Sequence, residues 1–276
     1  MRITYSSWKS FKECPKKFYL QYVLKEPSEI PIDDYYKIYG NIVGKFFELF
    51  CNQWRFNDRM SPDMINDKLK ILYGDILKYS IVNWNSRFAK YSKEEIYEQA
   101  WKSVCAVMES ETINYFLNAK AEVSINVTLA NNHVITGRLD FIHKNPVIDG
   151  VVVIDGKGTD KVGKYVDKDQ LLFYCLLYKF KHHLMPRETG FFYYRFNSYV
   201  KMPLSLDILN EFRARLSLDI KAMEKDNFAA NPGYKACKFC PYHVTCKEYL
   251  EKKSKGARPS AIDIETNNEE IAQFSF

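Results

Sequence analysis

Apolar residues recur at helical spacing through the first half of the chain. Helices are predicted over residues 4–25, 39–55 and most of 61–119, because apolar side chains return there every three to four positions. Pro15 divides the first helix, since proline lacks the amide hydrogen that continues a helix. Residues 26–36 are rich in proline and acidic residues and predict a loop. The pattern therefore indicates an N-terminal helical region.

The pattern becomes an alternation of polar and apolar residues after position 121. Residues 122–129 alternate as a half-buried strand does, and Asn131-Asn132 is typical of a hairpin turn. The returning strand covers 133–143, and the valine-rich run at 151–157 predicts a strand buried on both faces. Later elements are a helix at 167–182, a strand at 190–196 and a helix at 206–225. These elements predict an α+β or α/β fold with a small mixed sheet flanked by helices.

Length and composition are those of a globular protein. The 276 residues suffice for one large or two small domains, and 46% of them are hydrophobic and 27% charged. No run reaches the roughly 18 apolar residues that span a bilayer. The N-terminus lacks the apolar core of a signal peptide. We expect a cytoplasmic protein of a bacterium, an archaeon or a virus in its host, without a membrane partner.

The charge is uneven along the sequence. The net charge is +6, but residues 263–276 carry four acidic and no basic residues, so the rest of the chain carries +10. A basic body suits a polyanionic partner such as nucleic acid, although many basic proteins bind none. Most of the 20 Tyr and 19 Phe are expected in the core. Some could stack on unpaired bases.

Two acidic residues and a lysine occupy the predicted hairpin and the strand after it. Asp155 and Lys157 are two positions apart on a strand, so their side chains point to the same face. A hairpin partner could bring Asp140 close to Asp155, and paired carboxylates suit a hard cation such as Mg²⁺. The ion would activate a water, while Lys157 would hold that water or stabilise charge on phosphorus. The alternative is a surface Asp–Lys pair at the end of a strand.

The order of the motifs adds a family resemblance. A Gly-Arg-Leu-Asp strand, a valine-rich strand running into Asp-x-Lys and a helix with Gln-x-x-x-Tyr resemble the RecB-like PD-(D/E)xK nucleases. That group includes the exonuclease domains of recombination helicases, the AddB-type nuclease domain and the CRISPR-adaptation nucleases. The resemblance implies a restriction-endonuclease-like core, with Asp140 and Asp155 as metal ligands and Lys157 as the catalytic lysine. Gln170 and Tyr174 match the motif on the following helix, where they either touch substrate or pack the helix on the sheet.

The sequence departs from the family at one ligand. The family usually carries a His in a Gly-x-x-x-His pattern, but Gly40 is followed here by Gly44, which has no ligating side chain. Glu48 lies one turn further along the same predicted face and could ligate an ion directly or through water. It could equally be a surface residue. Mg²⁺ or Mn²⁺ is the expected ion, and the number of ions is left open.

Cysteines are crowded near the C-terminus. Cys237, Cys240 and Cys246 lie within ten residues, and without an export signal this crowding is typical of a metal site rather than of disulfides. Zinc or an iron–sulfur cluster needs about four ligands, and Cys14 could supply the fourth. The other cysteines are expected to be buried packing residues: Cys51, Cys105 and Cys175.

The cysteine spacing also resembles a known group. Cys-Pro-x-x-Phe-Tyr near the start and Cys-x-x-Cys-Pro-x-x-x-x-Cys near the end resemble the iron–sulfur subgroup of the same nucleases. This resemblance implies a 4Fe–4S cluster joining the C-terminal cluster-binding segment to the first helix. Zinc is the alternative, and His243 could then replace one cysteine. The expected domains are a nuclease domain at 1–252 and a flexible acidic tail at 253–276, whose aromatic end could dock a replication or recombination protein.

The favoured function is metal-dependent hydrolysis of DNA. Exonuclease action on single-stranded ends, in replication, recombination or repair, is expected by family analogy. Gly44 motivates an alternative, a catalytically weak nucleic-acid-binding module or scaffold of the same fold. A zinc-stabilised interaction protein is a third possibility. The sequence leaves open the polarity of cutting, the choice of DNA or RNA, the oligomeric state and the pathway.

Overall fold

The described residues form two compact units. The computed structural model describes residues 1–27, 35–54, 60–80, 91–145, 150–163, 166–225, 227–233, 237 and 240–254. Unit 1 comprises Met1–Tyr5 and Pro31–Leu218, and unit 2 comprises Ser6–Ile30 and Asp219–Phe276. In the described part of the chain, no helix combines the length and apolar character needed to cross a bilayer.

A mixed sheet organises unit 1. Its described strands are β1 (Arg2–Ile3), β2 (Ala119–Thr128), β3 (Val134–Asn145), β4 (Gly150–Lys157), β5 (Glu188–Tyr193) and β6 (Ser198–Met202). β2 pairs antiparallel along β3, so β1 (parallel) and β4 (antiparallel) must share the other edge of β3. β4 and β5 are parallel and β5 and β6 antiparallel. The predicted mixed sheet flanked by helices is confirmed.

The helices begin and end at recognisable local signals. They are α1 (Tyr5–Glu13), α2 (Pro15–Phe18, continued by a π-helical segment at Tyr19–Leu24), α3 (Tyr35–Leu49, continued by a π-helical turn at Phe50–Trp54), α4 (Pro62–Tyr79), α5 (Lys93–Met108), α6 (Asn114–Leu117), α7 (Lys168–His182), α8 (Leu206–Met223) and α9 (Lys247–Ser254). Ser92 and Glu95 form a capping box at the start of α5. Asp167 caps α7 by accepting from the amide of Asp169 at 3.2 Å, and α7 ends at His183 in the left-handed conformation. These caps fix where α5 begins and where α7 begins and ends.

Strand β5 lies between two apolar layers. Phe192 belongs to the large core built with α3, α4 and α5, whereas Phe191 and Tyr193 pack with Leu171 of α7. This division follows from the alternation of side chains along a strand. Burying a phenylalanine contributes about 2–3 kcal/mol before entropy is counted, so both layers hold β5 in place.

Among the described residues, the structure differs from the sequence-based prediction at several places, and two of them lie beside the candidate site. α3 begins at Tyr35 rather than at position 39, and Tyr35 stacks on Tyr39 with 6.0 Å between ring centroids. The strand predicted at 190–196 ends at Tyr193, and Tyr194–Phe196 form a 3₁₀ turn. Asn197 ends that turn with a left-handed φ of 45°, and β6, which was not predicted, follows it. Alternation alone could not separate the turn from the strand, because its residues are also aromatic.

Unit 2 joins the two ends of the chain. The Trp8 indole donates to Asp219 at 2.8 Å, and Tyr19 stacks on Phe228 with 4.8 Å between centroids. Thus α1 and α2 share a unit with residues more than 200 positions later. The domain boundaries predicted at 252 and 253 stay predictions. Most of the acidic tail, residues 255–276, lies outside the described residues.

Candidate functional site

Asp155 and Lys157 are in contact at the end of β4. Both side chains leave the strand on the same face, as their spacing of two predicts. Asp155 is 1% exposed, and its Oδ2 lies 2.6 Å from the Lys157 ammonium. Burial raises the pKa of Asp155, while the lysine lowers it. The strand thus presents a buried carboxylate beside a fixed cation.

Helix α7 supports this lysine. The Lys157 ammonium donates to Oε1 of Gln170 at 3.2 Å, and Nε2 of Gln170 donates to the Tyr174 hydroxyl at 3.1 Å. Gln170 and Tyr174 are one helical turn apart, so they share the face that meets β4. A carboxylate, an ammonium, an amide and a phenol therefore form one connected row. Four of the five residues that sequence reasoning proposed as catalytic lie in it.

Asp140 approaches from the neighbouring strand β3. Its Oδ2 accepts from the amide of Gly156 at 3.0 Å. Burial raises the pKa of Asp140, the nearby Asp155 carboxylate raises it further, and the Gly156 amide opposes both. Two carboxylates that destabilise each other's charge favour a proton or a cation between them. The pair consists of oxygen donors, which suits a hard divalent ion.

A pocket of about 780 Å³ opens on Asp140. Its lining includes Gly44 and Glu48 of α3 together with Glu122, Gly156 and Tyr194. Basic and aromatic side chains also contribute: Tyr36, Lys37, Lys45, Tyr79 and Arg138. The ring of Tyr79 is 78% exposed, whereas Lys45 and Arg138 are paired with Glu48 and Glu122. An exposed ring beside basic side chains suits a nucleic-acid strand.

Glu48 lies in this pocket, but its carboxylate already has a partner. Lys45, one turn earlier, approaches Glu48 Oε1 at 2.7 Å. Glu48 raises the pKa of Glu122, which indicates that these two carboxylates are neighbours. The candidate ligand position predicted on α3 therefore faces the pocket with its charge partly balanced.

Glu122 is a pocket residue that sequence reasoning did not select. It lies opposite Asp140, between the paired residues of β2 and β3, and its φ of 55° is left-handed. Its carboxylate pairs with Arg138, and burial is the main cause of its raised pKa. A regular strand would not adopt this φ, so β2 is distorted beside the site. The alternating pattern contained no signal of the distortion.

Tyr194 is a second residue that was not selected. Its ring stacks on Phe47 at 5.8 Å, and its hydroxyl lies against Gly156, where a Cβ would overlap it. A Cβ on Gly44 would lie 3.8 Å from the same hydroxyl. Burial raises the pKa of Tyr194, and Asp140 and Asp155 raise it further, so the phenol is protonated. The only available sequence signal was the glycine between Asp155 and Lys157, which leaves space for a neighbour.

Two glycines allow α3 to reach the end of β4. A Cβ on Gly158 would lie 2.7 Å from Cα of Gly40, closer than real contacts allow. The backbones of α3 and β4 therefore touch directly. This contact positions the pocket wall formed by α3 beside the strand that carries Asp155.

The four predicted cluster cysteines line one cleft in unit 2. Cys14, Cys237, Cys240 and Cys246 share it with Lys16 and Lys17. Burial raises the pKa of the Cys237 thiol, and each of the other three thiols raises it further. The amide of Asn231 donates to Cys14 Sγ at 3.4 Å. The remaining cysteines are buried, as expected: Cys51, Cys105 and Cys175.

In the residues that the structure describes, neither site holds a complete set of metal ligands in close contact. Among the described residues, no three His, Cys, Asp or Glu side chains converge closely enough to form a complete metal site. The chemistry of the donors still fits. Buried paired carboxylates suit Mg²⁺ or Mn²⁺, and a cleft with four thiols suits iron or zinc.

Comparisons with known proteins address the family. The model of the PD-(D/E)XK nuclease superfamily matches residues 2–247. A crystal structure of a "putative exonuclease" from Eubacterium rectale aligns with a TM-score of 0.51 at 11% identity, covering 81% of this chain and 80% of that one, and supports the fold alone. The crystal structure of SSO0001 aligns with a TM-score of 0.31 at 19% identity, over 56% of this chain and 78% of that one. No curated protein matches the sequence significantly. From the family match over most of its length, the chain belongs to the PD-(D/E)XK nuclease superfamily.

Proposed function

We propose that this chain is a metal-dependent DNA nuclease of the RecB-like branch that acts as an exonuclease on single-stranded ends. The observation that carries the proposal is the meeting of Asp140, Asp155 and Lys157 at the end of β4, beside a pocket of about 780 Å³. Superfamily membership supports nuclease chemistry. The choice of exonuclease rests on analogy with the family.

Each polar residue of the candidate site has a role in this proposal. Asp140 and Asp155 hold Mg²⁺ or Mn²⁺, with Glu48 as a further ligand, direct or through water. The bound ion supplies charge neutralisation for the phosphate and a more acidic water. Lys157 donates to the phosphoryl oxygens, where negative charge grows in the transition state. Gln170 fixes the lysine, and Tyr174 fixes the orientation of the Gln170 amide.

The pocket supports a single-stranded substrate. Lys37, Lys45 and Arg138 carry positive charge, and the ring of Tyr79, which is 78% exposed, offers a surface on which a base could stack. A duplex would keep its bases paired and away from this ring. We therefore propose a free single strand as the substrate, in DNA replication, recombination or repair.

Cleavage assays on linear and circular single-stranded DNA test this function. Wild-type protein with Mg²⁺ or Mn²⁺ should degrade the linear form, leave the circle intact and lose activity with chelator. Lys157→Ala should lower kcat by about 10³-fold, since it removes a preorganised charge from the transition state. Lys161→Ala, an exposed lysine of the following loop, is the matched control and should cut normally.

Two results would contradict the proposal. Cutting of the circle would establish endonuclease action instead. Binding of DNA without metal-dependent cutting would favour the alternative of a catalytically weak binding module, which the absence of a ligating side chain at Gly44 motivates.

We also propose that Cys14, Cys237, Cys240 and Cys246 bind a 4Fe–4S cluster, with zinc as the alternative. The presence of all four cysteines in the lining of one cleft supports a metal, and the amide directed at Cys14 Sγ is the type of hydrogen bond that tunes iron–sulfur clusters. Anaerobic purification followed by iron, sulfide and zinc analysis distinguishes the two. About four irons and four sulfides per chain support the cluster, and one zinc without iron rejects it.

The division into a nuclease domain at 1–252 and an acidic tail at 253–276 is part of the proposal. We propose that the tail docks a replication or recombination protein, such as one that binds the acidic tips of single-strand-binding proteins, or a sliding clamp. Deletion of residues 263–276 should weaken binding to such a partner in calorimetry and leave nuclease activity intact. Unchanged binding would reject the docking role.

A further inference from the structure

We propose that Tyr194 is a positioning residue of the active site, whose phenolic oxygen accepts a hydrogen bond from a water molecule on the ion held by Asp140 and Asp155. This inference rests on the proposed function, because it requires that these carboxylates bind a divalent ion. It adds a residue from the turn after β5, which none of the sequence motifs contains.

The first observation is the space that two glycines leave for the hydroxyl. A Cβ on Gly156 would overlap the Tyr194 oxygen, and a Cβ on Gly44 would lie 3.8 Å from it. Both glycines and Tyr194 line the pocket that opens on Asp140. The backbone of β4 therefore leaves space for the hydroxyl at Gly156, the residue whose amide donates to Asp140.

The second observation is that the ring is held from several sides. It stacks on Phe47 with a 6° angle between the planes, and it contacts Phe192 at 5.8 Å. The turn that carries it ends at Asn197, whose amide nitrogen donates to the Ala106 carbonyl and the Ser110 hydroxyl at 2.9 Å. A hydroxyl fixed in this way can orient a partner at little further entropic cost.

The chemistry of a phenol suits this position. A divalent ion withdraws electrons from its water ligands and makes them strong hydrogen-bond donors. The carboxylates of Asp140 and Asp155 are acceptors that the ion itself engages. A tyrosine keeps its proton at neutral pH, and its oxygen can still accept a hydrogen bond without adding a charge to a site that already has two.

A purely structural role makes a different prediction. If Tyr194 only filled the core, a phenylalanine at this position would serve equally well, because the ring makes all the stacking contacts. Tyr194→Phe would then leave metal affinity unchanged. The hydroxyl is the single group that separates the two roles.

Calorimetric titration with Mn²⁺, without DNA, tests the inference on the full chain. We expect Tyr194→Phe to bind Mn²⁺ about tenfold more weakly than wild type, the range found for groups that support metal ligands. The matched control is Tyr39→Phe, which removes a buried hydroxyl that donates to Ser103 at 2.7 Å. It should bind Mn²⁺ as wild type does. In cleavage assays, Tyr194→Phe should lower kcat and leave KM for DNA unchanged.

An additional variant separates this inference from the proposed function. Asp155→Asn should lose Mn²⁺ binding if the carboxylates hold the ion. If wild type and Tyr194→Phe bind Mn²⁺ equally and Asp155→Asn does not bind it, the role of Tyr194 is rejected and the metal site stands. If wild-type protein binds no Mn²⁺ at this site, both are rejected.

Discussion

The carboxylate site takes its side chains from two neighbouring strands and the helix that follows, whereas the cysteine cleft joins Cys14 to residues 237–246. In the first site, Asp155, Lys157 and Gln170 lie within sixteen residues and contact one another directly. In the second, more than 200 residues separate Cys14 from the other three cysteines. The difference lies in what brings each set of side chains together.

Local geometry assembles most of the carboxylate site. Strand alternation places Asp155 and Lys157 on one face, and one helical turn aligns Gln170 with Tyr174. The cysteine cleft depends on the packing of α1 and α2 with the C-terminal segment, through contacts such as Trp8 to Asp219. We therefore expect the carboxylate site to be disturbed by added side-chain atoms next to it. We expect the cysteine cleft to be disturbed most by removal of Cys14, which is distant in sequence from the other three.

The largest effect is expected from Cys14→Ala. In the proposed cluster, loss of Cys14 would open a loop of more than 200 residues, which in the entropic model of cross-links costs on the order of 5 kcal/mol. The variant should lose iron, visible colour and solubility, and its urea midpoint should fall. Cys105→Ala, which changes a buried cysteine of α5, should keep its metal content. A soluble Cys14→Ala protein with full metal content would remove Cys14 from the site.

Gly156→Ala should damage the carboxylate site next. Its new Cβ would overlap the Tyr194 hydroxyl, and overpacking of this kind costs about 1–3 kcal/mol. Because the backbone amide of Gly156 also holds Asp140, we expect nuclease activity to fall by about 10²-fold. Gly74→Ala on α4, where a Cβ meets nothing within 4 Å, should raise stability by up to about 1 kcal/mol. Equal behaviour of the two variants would contradict the packing seen at Tyr194.

Gln170→Ala should have a smaller effect on activity. It removes the acceptor that fixes the Lys157 ammonium, and a hydrogen bond to a charged group contributes about 1.5–3 kcal/mol. We therefore expect a fall in kcat of at least about tenfold, because the ammonium loses this fixed position. Tyr178→Phe, one turn beyond Tyr174 on α7, serves as the control. An unchanged kcat would mean that Asp155 alone orients the lysine.

The smallest effect is a gain in stability from Asp140→Asn. Burial and Asp155 raise the pKa of Asp140 above that of the unfolded chain, so the unfolded state releases this proton at lower pH. The stability of the wild type therefore falls as pH rises from about 4 toward the raised value, and asparagine removes this loss. At pH 8 without divalent ions, we expect Tm to rise by about 2–4 °C, which corresponds to about 1 kcal/mol.

The same variant has a second, opposite readout. Added Mn²⁺ should stabilise wild type and leave Asp140→Asn nearly unchanged, because ion binding stabilises only a protein that binds it. Near pH 4, the two proteins should melt together without Mn²⁺. A lower Tm for Asp140→Asn at pH 8 would show that the carboxylate is stabilised by its surroundings instead.

The sequence predicted the fold and the local contacts of the site well. Spacing placed Asp155 beside Lys157 and Gln170 beside Tyr174, because periodicity within one element determines which face a residue occupies. The pairing of β2 with β3 followed from alternation and a turn signal. Asp140 and Cys14 were already candidates from the predicted hairpin and the number of thiols, and the resemblance to a nuclease family then implied their roles.

What could not be predicted depends on backbone geometry and tertiary contact. Glu122 reaches the pocket through a left-handed φ that no local pattern encodes. Tyr194 reaches the pocket because β5 ends at Tyr193, immediately before it. The turn that follows is held by Asn197, which donates to the Ala106 carbonyl of α5. Such positions are determined by packing between distant segments, which a single sequence does not display.

The position of Cys14 in the same cleft as Cys246 has a consequence for synthesis in the cell. The first of these thiols leaves the ribosome 232 residues before the last. At about 5–20 residues per second, that interval lasts on the order of 10–50 s. A cofactor held by all four thiols could be inserted only after Cys246 has left the ribosome, so the Cys14 thiol would wait for its partners throughout this interval.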